Sequence, residues 1–137
     1  MLGASADEGL TPEAFRAWGA YLIGDDLLRL LISSDAGQTL KSLGSGSSVC
    51  VTFSDPHTFR SVQVKGLATG RPEPPGPVDL ACMRRYSVVF AAVAAERGVP
   101  AALFESTRPI AVFAVVIQIE EMYDQTPGPM AGSPLDA

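Results

Sequence analysis

Few residues in this chain have the types and spacing that catalysis by side chains alone requires. His57 is the one histidine. It falls in Asp55-Pro56-His57-Thr58, a turn pattern in which proline sets φ at its position and aspartate caps its own backbone, with no candidate nucleophile beside it. The sequence has no Ser/His/Asp arrangement, no run with metal-ligand spacing and no glycine-rich phosphate loop. Any redox chemistry must therefore come from a cofactor. Cys50 lies in an apolar strand and Cys82 in an apolar helix, without CxxC or Cys/His spacing, and both read as small buried fillers. Arg29 interrupts the apolar run Leu27 to Ser33 and marks an outward or ligand-facing position. Ser61, Gln63 and Lys65 alternate with Val62 and Val64, so they form either an exposed sheet face or a polar ligand wall.

The elements that must position these residues are mostly strands. Ala4 to Thr11 is a polar, Gly-containing hairpin loop, which makes Met1 to Ala4 the tail of a first strand cut short at its beginning. Pro12 to Ile23 is the strand that leaves this loop, and its Phe15 to Ile23 part pairs with Leu27 to Ser33 across the turn Gly24-Asp25-Asp26. Gln38 to Leu43, with its two leucines three apart, is a short helix. Ser48 to Ser54 places Val49, Val51 and Phe53 on one face, and it pairs with Phe59 to Thr69. Arg71 to Pro77 holds four prolines in seven residues and reads as an irregular connector outside the sheet. Leu80 to Arg97 is the one long helix, with Asp79 as N-cap and Gly98 at the C-terminal position. Ala101 to Glu105 adds a helical turn. Ile110 to Met122 is a β-branched final strand, and residues 125–137 are a Pro/Gly-rich tail. Neighbouring strands joined by short turns make a meander that curls into a barrel to hide its edges.

With 137 residues, the chain is long enough for one sizeable core and one domain spanning 1–137. A composition 47% apolar and 18% charged suggests apolar area covered by a second copy, hence a homodimer. The net charge of −5 leaves no cationic field for nucleic acid. No basic, apolar leader opens the chain, and Ile110 to Ile119 is about half the length of a bilayer-crossing helix. A soluble, reducing, cytoplasmic setting without membrane contact is expected.

Val51-Thr52-Phe53-Ser54-Asp55-Pro56 running into Phe59-Arg60-Ser61-Val62-Gln63-Val64-Lys65-Gly66, together with Arg16-Ala17-Trp18-Gly19-Ala20 and the closing Tyr123-Asp124-Gln125-Thr126-Pro127-Gly128-Pro129, resembles the FMN-binding split barrels of the pyridoxamine 5′-phosphate oxidase-like superfamily, in its uncharacterised oxidase-related branch. The resemblance implies a mostly β, antiparallel six-stranded split barrel with one long helix and one or two short ones. It also implies a homodimer with flavin sites at the subunit interface, and FMN as cofactor. By that resemblance Arg16 holds the flavin phosphate, helped by Thr39 and Lys41, although Gln38 and Thr39 stand where the oxidases carry an arginine-lysine pair. Lys41 either replaces that charge or points to solvent. Trp18 either stacks on the flavin or packs in the barrel. Ser61 takes the place of a flavin-contacting glutamine, with Gln63 beside it. A dianionic phosphate needs charge-assisted donors, and a rigid strand arginine supplies a bidentate one.

Three functions follow: a flavin-dependent oxidoreductase acting on a small molecule, a non-catalytic flavin-binding or haem-handling module, and a structural dimer without cofactor. The catalytic residues are not identified by the sequence.

Overall fold

The computed structural model describes residues 2–6 and 12–135, the first stretch by its backbone alone. Its elements are β1 (Leu2–Ala6), β2 (Glu13–Ile23), β3 (Leu27–Ser33), α1 (Gly37–Ser42), β4 (Ser48–Ser54), β5 (Ser61–Ala68), α2 (Pro77–Glu96), α3 (Ala101–Ser106) and β6 (Val112–Asp124). Most of the hairpin loop expected before β2 lies outside the described residues. The architecture is mostly β and antiparallel, with helices, as the alternation and turn signals imply.

The strand order corrects the meander. β2, β3, β6, β5 and β4 form a curled sheet in that order, and β1 pairs with β2 on one side and β4 on the other. The Gly-rich segment around α1 carries the chain away from β3 instead of turning it back, which leaves the β3 edge for β6. β6 carries Val115 and Ile117, both fully buried, and it satisfies its backbone against β3 and β5 together.

The connector is also more ordered than its prolines suggest. Glu73 exchanges backbone hydrogen bonds with Ala114 of β6 at 2.9 Å in both directions. Glu73 stands between Pro72 and Pro74; the following proline holds it extended while its own N–H remains free to donate. The tail likewise folds back, with Leu135 N–H donating to the Met122 carbonyl and Asp124 N–H to the Ser133 carbonyl, both at 2.9 Å.

Two apolar clusters share the sheet. Phe15, Ala17, Leu28, Leu30, Ile32, Val49, Val51, Val64 and Ile117 fill the barrel, in keeping with period-2 alternation. On the outer face Trp18, Leu31, Val112 and Ala114 pack under α2 and α3 against Ala94 and Phe104. β3 is therefore buried on both faces, which is why its sequence reads as a continuous apolar run.

The exception in that run, Arg29, points outward to the start of α2. That helix begins earlier than the sequence implies: Gly76 is the N-cap, and Asp79 sits inside the first turn, with its carboxylate reaching back to accept from Gly76 N–H at 2.8 Å. Arg29 Nε and Nη2 donate to the two oxygens of Asp79 at 2.7 and 2.8 Å. Tyr21 adds its hydroxyl at 2.9 Å, and Arg29 Nη1 binds Glu73 at 2.7 Å. Asp79 is 2% exposed. The hydrogen bonds from Arg29 pull its pKa down to about 2, and the same contact raises that of Arg29 further above its ordinary value. At the far end of α2, Gly98 has φ 74°, the left-handed geometry of a helix terminator. Among the described residues no helix is long and apolar enough to cross a membrane.

Gly66 sits beside an irregularity in the β5–β6 register. A Cβ there would meet the Gln118 carbonyl oxygen at 1.9 Å.

Three outcomes are expected. Asp79→Ala leaves the largely buried Arg29 guanidinium with Glu73 as its one acid partner among the described residues and lowers stability by roughly 2–3 kcal/mol in denaturant titration. In the native chain the depressed Asp79 pKa contributes on the order of 2 kcal/mol, fully present above about pH 4 and lost as pH falls from there toward 2; unfolding midpoints measured across that window should drop accordingly. Gly66→Ala lowers thermal stability by about 1–3 kcal/mol because the backbone it meets has nowhere to move.

Candidate functional site

β1 pairs with β2 and β4, and the six strands close into a barrel. Beyond the pairs of Leu2 with Arg16 and Thr52, β2 continues to Ile23 and β4 to Ser54. An open cleft of about 1090 Å³ lies between them and α2, with Gly19, Ala20 and Tyr21 on one wall, Phe53, Ser54, Val62 and the β4–β5 turn on the other, and α2 along its side. Its size and mainly apolar lining with a few cations are those of ligand sites.

α2 is tethered to both walls. Its first turn is held by Arg29 and Tyr21. Near its C-terminus the Arg97 guanidinium donates to the Pro56 carbonyl, and Glu96 lies 3.7 Å from His57 Nδ1. The turn itself is braced by Asp55, which accepts from His57 N–H at 2.8 Å and the Thr58 hydroxyl at 2.9 Å; these bonds hold its carboxyl below the ordinary value. Phe59 closes the turn in the left-handed region, at φ 60°.

Tyr86 and Phe90 of α2 line the cleft and belong to a chain of rings. Trp18 meets Tyr86 edge-on at 6.0 Å, Tyr86 stacks on Phe90 at 5.8 Å, and Phe90 leans on Phe104 at 5.6 Å. The Arg16 guanidinium lies 4.4 Å from the Trp18 ring centre and 4.8 Å from that of Phe90. It makes no ion pair among the described residues.

The residues singled out in the sequence fall in three places. Arg16 and Trp18 back the cleft wall through Phe90 and Tyr86, and Trp18 is itself buried, in its packing role. Thr39 is buried on α1, and its hydroxyl donates to Glu13 at 3.1 Å; Lys41 on the same helix is exposed. No hydrogen bond or ion pair joins either residue to Arg16 among the described residues. Ser61 and Gln63 stand on the outer face of β5, where Ser61 meets the Ser54 hydroxyl at 2.8 Å and Gln63 donates to Thr52 at 3.4 Å. Lys65 continues that row, 4.4 Å from the Tyr123 ring centre and 3.9 Å from Glu121. Ser54 links this row to the cleft rim. Cys50 and Cys82 are half-buried, less enclosed than the buried fillers expected, and Cys82 lines the cleft; burial pushes both thiols up, and Cys82 Sγ donates weakly to the Ala20 carbonyl at 3.6 Å.

Sequence reasoning passed over Arg60 and Arg85, which both line the cleft. Arg85 could have been found: it interrupts the apolar stripe Val78, Cys82, Val89, Val93 at helical spacing. Arg60 carried no such signal, because its placement depends on the turn folding toward α2.

The molecule is a helix-covered antiparallel barrel with a cleft between its wall and the long helix. No protein-family model matches the chain, and no curated protein does. Among solved structures it is similar to the 1.70 Å crystal structure of epitope-tagged HupZ from Group A Streptococcus. The TM-score is 0.52 at 16% identity, covering 96% of this chain and 88% of that one. At that identity the likeness is one of fold alone.

The tethers on the turn should matter locally. His57→Ala combined with Arg97→Ala is expected to speed amide hydrogen exchange at residues 55–60 while leaving the unfolding midpoint nearly unchanged, because both contacts are exposed.

Proposed function

We propose that this chain is an FMN-binding flavoprotein of the pyridoxamine 5′-phosphate oxidase-like split-barrel type. It works as a cytoplasmic homodimer, with flavin-dependent oxidoreductase chemistry on a small substrate. The observation that carries the reading is Arg16. A half-buried guanidinium clamped by the rings of Trp18 and Phe90, with no acid partner among the described residues, keeps its N–H groups for an outside anion, and its orientation is already fixed. These residues fit a phosphate. Tyr86 and Phe90 offer ring faces to a flat ligand in the cleft beside it, and the hydrogen-bonded row Ser54, Ser61, Thr52 and Gln63 offers a polar rim.

The flavin would supply hydride acceptance; the chain would hold the phosphate and shield the ring. Thr39 and Lys41 enter this reading only through a second copy, since within one chain no hydrogen bond or ion pair joins either to Arg16 among the described residues. A second copy would also cover exposed apolar groups such as Phe59, Val88 and Ile110, the last 96% exposed. The two free thiols agree with a reducing compartment.

A haem-handling module is the second reading, favoured by Cys82 and Tyr86 in the cleft, both of side-chain types that ligate haem iron.

Titration with FMN, followed by its visible absorbance and quenching of its fluorescence, tests the proposal. Saturable uptake at micromolar concentration is expected, weakened roughly 10- to 100-fold in Arg16→Ala by loss of a charge-assisted bond and less in Arg16→Lys. Absence of uptake, or equal affinity in Arg16→Ala, removes the reading. A haem titration giving a Soret shift in place of FMN uptake selects the second one.

A further inference from the structure

We propose that the cleft between α2 and the wall formed by β2, β4 and the β4–β5 turn is a binding site for an amphipathic carboxylic acid, with its anionic head held by Arg60 and Arg85 and its apolar body laid along α2. The site goes beyond the flavin reading and requires no flavin. Its apolar side runs from Val78 to Val93 with Arg85 at its middle, so about two turns of helix, roughly 11 Å, lie on either side of that guanidinium, with Phe53 and Val62 facing them from the barrel. Val78 and Val89 are 64% and 57% exposed, so apolar area on this wall is open to water and would be covered by an elongated apolar body.

The polar chemistry of the cleft is one-sided. Arg60 and Arg85 are exposed, and neither guanidinium has an ion pair or hydrogen-bond partner among the described residues. The one carboxylate in the lining, Asp55, is committed to its own turn through His57 and Thr58. Asp124 is near enough to Arg60 to be influenced by its charge, but it accepts from Thr126 N–H at 2.7 Å. In a chain of net charge −5, two uncommitted arginines on one apolar cleft select an anion attached to an apolar body. Cations are disfavoured, and neutral chains gain only the apolar part.

Calorimetric titration of flavin-free protein with dodecanoate below its micellar range, beside dodecanol and dodecyltrimethylammonium, tests this. Saturable dodecanoate binding is expected, roughly tenfold or more tighter than that of dodecanol, with the cation weakest. Arg60→Ala and Arg85→Ala should each weaken dodecanoate by about tenfold and bring it toward dodecanol. Ala81→Trp, which fills the cleft, should abolish binding of both. All three positions are exposed, and circular dichroism melts verify that the variants fold. No dodecanoate binding, equal affinity for the three probes, undiminished binding in the double arginine variant, or full binding in Ala81→Trp overturns the proposal. FMN uptake is read separately by visible absorbance, so failure of the flavin reading leaves this result standing, and the reverse also holds.

Discussion

The carboxylate of Asp79 is the point on which the helical layer turns. Arg29 contributes two donors, and Tyr21 and Gly76 one each, so a nearly inaccessible charge is satisfied by β2, β3 and the helix's own N-cap at once. A buried ion pair adds little net stability over an apolar pair of the same shape, but a half of one is intolerable. Its effect is therefore positional. The first turn of α2 has one place to sit, and Glu73, bound to the same guanidinium, fixes the connector that leads into it.

From that fixed start α2 crosses the outer face of β2, and the remaining geometry follows from side-chain alternation. Trp18 and Arg16, two apart on β2, face the helix together while Phe15 and Ala17 face the barrel. Gly19 lets the helix approach: a Cβ there would press Leu31 Cδ1 at 2.8 Å and Cys82 Sγ at 3.1 Å. The underside of α2 is taken up by rings, and its flank is left over the cleft beside β2 and β4. The same helix thus closes the outer core on one side and walls a cleft on the other.

Much of this was legible in the residues. The bounds of β3 and β4 coincide with their apolar runs, since turn signals stand at both ends. The hairpin of β4 and β5 has Val49, Val51 and Val64 inward, as alternation requires. Arg29 stood out as an outward position because one cation in an apolar run must find a partner, although nothing local named Asp79, fifty positions away. Three features were not legible for the same reason. The insertion of β6 beside β3, the pairing of Glu73 with Ala114, and the meeting of the β4–β5 turn with α2 all depend on contacts between distant segments, which periodicity does not encode. The cleft arginines escaped notice because exposed cations are ordinary until a tertiary wall is placed beside them.

The position of β6 has a bearing on how the chain is made. It is the final strand in sequence, yet it lies between β3 and β5. While the ribosome is still adding residues before Val112, the emerging polypeptide holds a sheet in the order β3, β2, β1, β4, β5, and its two outer strands, β3 and β5, have no partner on their open edges. Such edges recruit other strands readily, and contacts this distant form slowly. Biogenesis is thus most exposed to mispairing just before β6 appears, and the arrival of that one β-branched segment closes the sheet into a barrel in a single step.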